Sequence, residues 1–181
     1  DNDLESGLGQ SYAVIIYHHQ WQGAVDHTAK YLKSRGYTVF VISNGHEGIA
    51  VLKNLALYLK AGDKIFVYLA GHGNTGRTIG KTEKELSLTH GLQFEDGALV
   101  TYDKFSPSFQ LMGNKGIDLS VFDGSCDGGE AVFNAIGERY LAMSTTAVCA
   151  PGITNTPDPS GIMKLFGKPS MFGLWWSSQY T

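Results

Sequence analysis

Lys64-Ile65-Phe66-Val67-Tyr68-Leu69-Ala70-Gly71-His72-Gly73-Asn74-Thr75-Gly76 is the stretch from which the rest of the chain can be read. From Ile65 to Ala70 every residue is apolar or aromatic, and glycines close the run on both sides, at Gly62 and Gly71. A half-solvated strand would alternate polar and apolar residues, and a helix would need more length. A short unbroken run of this kind is a strand buried on both faces. Such strands belong to the middle of a parallel sheet with helices above and below.

Working outward, three more runs have the same character: Tyr12–Tyr17, Tyr37–Ile42 and Ile117–Phe122. A fifth, Tyr140–Thr146, is weaker. Between the first two, Val25, Ala29 and Leu32 fall on one helical face, and Gly36 closes the segment. After the second run, Asn44 and Glu47 have capping-box spacing. Ile49, Leu52, Ala56 and Leu59 form the apolar stripe there, and Gly62 ends it. Ser106-Pro107 signals the start of a short helix running to Leu111, and Gly129–Ile136 holds another. Strand and helix alternating in this way give an α/β fold, with right-handed crossovers aligning the strand ends along one edge. The polar segment 73–94 has no periodicity and reads as a long, mobile loop.

Composition bounds the function classes. At 181 residues the chain has the length of one domain, and we expect a single domain over 1–181. With 43% hydrophobic and 17% charged residues it can bury a core. A net charge of -3 offers no basic footprint for nucleic acid or an anionic membrane. No apolar run approaches the roughly 18 residues of a membrane span. Cys126 and Cys149 make no disulfide framework and match no zinc spacing. The chain begins at Asp1 and stops after the aromatic stretch 172–176. From these ends we expect a truncated boundary or a processed precursor with a removed leader, propeptide or second subunit; a removed leader would favour export, and the compartment stays open.

Chemistry is expected where strands end, because ligands of open α/β sheets bind beyond the carboxyl ends of the strands. The third run leads into Gly71-His72-Gly73, and the fourth into Asp123-Gly124-Ser125-Cys126-Asp127-Gly128-Gly129. If these strands are neighbours, about 5 Å apart, an imidazole and a thiol leave the sheet side by side. That pair is a nucleophile and its acid–base partner. The flanking glycines let a substrate backbone approach.

These two blocks resemble those of the caspase-like (clan CD) cysteine peptidases. Residues 64–76 look like that superfamily's strand-His-Gly signature and are closest to the legumain group. Residues 122–129 are similar to its second block, a strand ending in a small residue and the nucleophilic Cys. Phe172-Gly173-Leu174-Trp175-Trp176-Ser177 resembles an aromatic legumain segment, whereas the stretch from Glu130 through Ser144 to Gly152 looks like the clostripain group. The resemblance implies a caspase-like three-layer α/β/α sandwich and a cysteine endopeptidase that works through a thioester. Cys126 would attack the scissile carbonyl and His72 would protonate the leaving amine. Backbone N–H groups of Gly73 and Cys126 would hold the oxyanion, a contribution of about 3 kcal/mol in such sites. A helix start just after Cys126 would lower the thiol pKa from about 8.5. The implied partner is a peptide or protein substrate, and the chemistry needs no metal or organic cofactor.

Two departures accompany the resemblance. The superfamily groups named above carry an acid two positions before the nucleophile, where this chain has Gly124. Asp123 is one residue further back and points to the other face of the strand, so neither it nor Asp127 secures specificity for basic residues. Legumain also has an Asn near the end of the first strand, where this chain reads Tyr17-His18-His19-Gln20-Trp21-Gln22. Positions expected along the substrate groove are Asp123, Gly124, Ser144, Trp175 and Trp176, with His19 as the member of the histidine pair that lines the cleft. Strand alternation allows only one of that pair to do so, and its spacing is not that of a helical metal pair. Trp21 is expected as a cleft wall or packing residue, Cys149 as a buried thiol, and the acidic start as a solvated terminus. Two other activities are compatible with the same Cys and His: a transamidase or peptide ligase, and a caspase-like regulatory module without activity.

Overall fold

The apolar runs fold as strands and the periodic segments as helices. In chain order the elements are β1 (Ser11–Tyr17), α1 (Gln22–Ser34), β2 (Thr38–Ile42), α2 (Gly45–Tyr58), β3 (Lys64–Ala70), β4 (His72–Asn74), β5 (Gly91–Gln93), β6 (Leu99–Thr101), α3 (Tyr102–Asn114), β7 (Asp118–Asp123), α4 (Gly129–Ala135) and β8 (Leu141–Ser144). A 3₁₀ turn, His19–Trp21, joins β1 to α1. The computed structural model describes residues 9–74, 82, 85, 87–126 and 128–144. Cys149, Trp175, Trp176 and the acidic start lie outside the described residues.

β1, β2, β3, β7 and β8 form one sheet in the order β2-β1-β3-β7-β8, with every neighbouring pair parallel. The Lys64–Ala70 run is its middle strand. Its unbroken apolarity is explained by the layers on each side. Ala13, Ile15, Phe66, Tyr68 and Phe122 pack on one face with Val25, Ala29 and Leu32 of α1. Val14, Ile16, Ile65, Val67 and Leu69 pack on the other with Leu52 and Ala56 of α2 and Phe105, Phe109 and Met112 of α3. Alternate residues along β1 and β3 thus enter two separate cores, so neither face can be polar. The result is a three-layer α/β/α sandwich.

α2 starts as its spacing predicts, with the Asn44 side chain accepting the Glu47 N–H at 2.9 Å. α3 starts at Tyr102, one turn before the Ser106-Pro107 signal, and Pro107 lies inside the helix. Distant groups cap this earlier start: Tyr102 N–H donates to the His90 carbonyl (2.9 Å) and Asp103 N–H to that of Leu88 (3.2 Å). The segment read as one long loop over 73–94 is strand at both ends. β4 and β5 pair antiparallel, and β6 completes a small three-stranded sheet. Strands of three residues are too short to reveal a period of two. Among the described residues no helix is long and apolar enough to cross a membrane.

Candidate active site

β3 and β7 are adjacent, with Leu69 opposite Asp123, and Gly124 N–H extends the ladder by donating to the Leu69 carbonyl at 3.0 Å. His72 and Cys126 each follow that last pair by three residues, so both leave the sheet at the same level of its carboxyl edge. The two segments touch there. A Cβ built on Gly73 would lie 1.8 Å from the Cys126 carbonyl oxygen and 2.7 Å from Ser125 Oγ. Only a glycine lets the backbone after His72 approach the nucleophile turn this closely. Gly128 is pressed from the far side, where a Cβ would lie 2.5 Å from Ser144 Oγ and 2.9 Å from the Asp123 carbonyl. Cys126 is half-buried in this turn, and His72 is exposed.

A fully buried polar network holds the turn from below. Ser125 donates its N–H (2.9 Å) and its Oγ–H (2.5 Å) to Asp123 Oδ1. The Tyr102 hydroxyl donates to Asp123 Oδ2 at 3.0 Å, and His90 Nε2 lies 3.2 Å from both that oxygen and Ser125 Oγ. Asp123 and His90 side chains are 0% exposed. Burial, then the neighbouring Asp123, pushes the Tyr102 hydroxyl well above its ordinary pKa, so it remains a donor. Asp123, expected along the groove, instead faces inward: its side chain is fully buried and its carboxyl is engaged by Ser125 and Tyr102 of the chain itself.

On the solvent side, aromatic rings surround His72. His18 and Trp21 each meet its ring edge-on, with centroids 4.9 Å away. His18 and His19 lie together, with ring centroids 4.3 Å apart. His18 is still extended, its N–H donating to the Ala70 carbonyl at 2.9 Å, and the 3₁₀ turn begins at His19; the ring that meets His72 is therefore that of His18, not the expected His19. The His18 side chain caps that turn, accepting from Gln20 N–H at 3.3 Å. His19 is tied to Glu95: its backbone N–H donates to Oε2 at 2.9 Å, and its Nδ1 lies 2.5 Å from the same oxygen. Desolvation, then the neighbouring His19 and His72, lowers the His18 pKa. The hydrogen bonds from His19 hold the Glu95 carboxyl below its ordinary value.

Of the groove positions expected from sequence, Gly124 is half-buried in the ladder, and Ser144 is half-buried at the end of β8, opposite Asp123. Trp175 and Trp176 lie outside the described residues. No local sequence signal marks His90, Tyr102 or Glu95 as part of this site. His90 is 33 residues from Asp123, and Glu95 is 76 from His19, so no local spacing carries these contacts.

No protein-family model matches the chain, and no curated protein matches it. Among solved structures it is similar to a Geobacter sulfurreducens protein, a structural-genomics target, with 19% identity and a TM-score of 0.48. The match covers 75% of this chain and 57% of that one, so the chain spans less than two thirds of that protein's length.

Proposed function

We propose that the protein is a cysteine endopeptidase with Cys126 as nucleophile and His72 as its acid–base partner. The observation that carries this reading is the contact of Gly73 with the Cys126 carbonyl. It joins the segments bearing the thiol and the imidazole at the carboxyl edge of two neighbouring parallel strands. A catalytic pair needs that proximity before any other property counts.

In this mechanism the Cys126 thiolate adds to the scissile carbonyl, and backbone N–H groups of Gly73 and Cys126 stabilise the oxyanion. Collapse to the thioester breaks the C–N bond, and His72 gives its proton to the departing amine. A water then enters, loses its proton to His72 and attacks the thioester. The acid product leaves and the thiolate is regenerated. The rings of His18 and Trp21 restrict how His72 can turn. The Asp123–Ser125–Tyr102–His90 network fixes the turn that presents the thiol.

A positional peptide library tests the reading. Cleavage is expected from the protein and is lost in Cys126→Ala and His72→Ala. Transfer of the acyl group to an added amine, in place of hydrolysis, would reassign the same pair to a peptide ligase. Cleavage surviving both substitutions would overturn the reading.

A further inference from the structure

We propose that His18, His19 and Glu95 form a binding site for a divalent transition metal of the zinc type, placed where it governs His72. Each residue contributes one donor atom, and the three atoms lie within 4.8 Å of one another. His19 Nδ1 is 2.5 Å from Glu95 Oε2, and His18 Nε2 is 4.0 Å from that oxygen. Donors around a tetrahedral zinc at about 2.1 Å stand roughly 3.4 Å apart. Movements of about 1 Å at side-chain ends are enough to reach that arrangement. The ends are accessible: His19 and Glu95 side chains are 65% and 41% exposed, and that of His18 is 17% exposed.

The donor set decides the class of ion. Two imidazoles and one carboxylate suit zinc, cobalt, nickel or copper, whereas calcium and magnesium require oxygen donors throughout. Three protein ligands leave one position for water. The backbone assembles the set in advance. The 3₁₀ turn at the end of β1 brings the two rings together, and the His19 N–H fixes the Glu95 carboxylate against them at 2.9 Å. Metal on His18 Nε2 requires the ring proton on Nδ1, which releases the 3.3 Å hydrogen bond from Gln20 N–H. Binding thus re-sets the turn that carries Trp21. Since His18 and Trp21 both meet the His72 ring, an occupied site changes how that imidazole is held. Metal binding stands independently of the peptidase reading, while its control of the site rests on that reading.

Zinc titrated against a chromophoric chelator is expected to bind one per chain. Binding is expected to persist in Cys126→Ser and His72→Ala, and to weaken at least about tenfold in His19→Ala and Glu95→Gln. Cobalt in the same site is expected to show tetrahedral d–d bands without a thiolate charge-transfer band. Binding that is indifferent to His19→Ala and Glu95→Gln, or lost in Cys126→Ser, overturns the site. The regulatory part is read from alkylation of Cys126. Zinc is expected to slow it in the unmodified protein and not in Glu95→Gln. Equal slowing in both overturns the control while leaving the measured site in place.

Discussion

Gly73 reaches the Cys126 carbonyl only because it has no side chain, and the nearest group is a backbone carbonyl that cannot rotate aside. Gly73→Ala must therefore displace the nucleophile turn. Misplacing reacting groups by about 1 Å can cost on the order of 100-fold in rate. We expect Gly73→Ala to slow alkylation of Cys126 at least tenfold, approaching the rate of an ordinary thiol, with a lowered melting temperature. Unchanged labelling would show that the close approach has no part in activation. Asp118, at the start of β7, gives a prediction that depends on pH. Desolvation raises its pKa above the ordinary 3.8, with Lys64 opposing in part. A carboxyl with a raised folded pKa contributes most to stability while protonated, below its unfolded pKa. That contribution is lost as pH rises through the folded value. Asp118→Asn is thus expected to stabilise the fold near pH 7 by a few tenths of a kcal/mol, because solvent screens this half-buried group. The gain is expected to vanish near pH 3, and urea midpoints at the two pH values measure it.

At the scale of elements, the long strands and first two helices are legible in the sequence because their signals are local. Apolar runs mark β1, β3 and β7, and the Asn44–Glu47 spacing marks the start of α2. The start of α3 is not legible, since carbonyls of His90 and Leu88 cap it instead of a nearby side chain. Ser106-Pro107 supplies a local signal that these tertiary partners override. β4, β5 and β6 are hidden by their brevity. α3 earns its place through an aromatic row: the Phe105 ring lies 6.5 Å from Phe94, 6.0 Å from Tyr102 and 6.2 Å from Phe109. Phe105 is fully buried, so Phe105→Ala is expected to destabilise by about 3 to 5 kcal/mol. Chemical denaturation measures this, and a loss below about 1 kcal/mol would mean that the row is not closely packed.

Across the whole molecule, the strand order β2-β1-β3-β7-β8 determines what the sequence places together. His72 and Cys126 stand out in the chain because each follows an apolar run and is flanked by small residues. Their adjacency depends on the β3–β7 pairing, which the sequence raises only as a condition. The groups around them were not legible. His18 and Trp21 reach His72 from the end of β1, Glu95 arrives from the turn after β5, and His90 and Tyr102 meet Asp123 from below. These contacts join separate elements at the carboxyl edge, and chain spacing leaves no trace of them. We propose that this edge activates Cys126 through His72. Mass-spectrometric alkylation with iodoacetamide at about pH 6.5, below the ordinary thiol pKa of about 8.5, tests it most directly. Fast, selective labelling of Cys126 over Cys149 is expected, slowed at least tenfold by His72→Ala. Labelling of Cys126 at the rate of an ordinary thiol, or at a rate indifferent to His72→Ala, would contradict it.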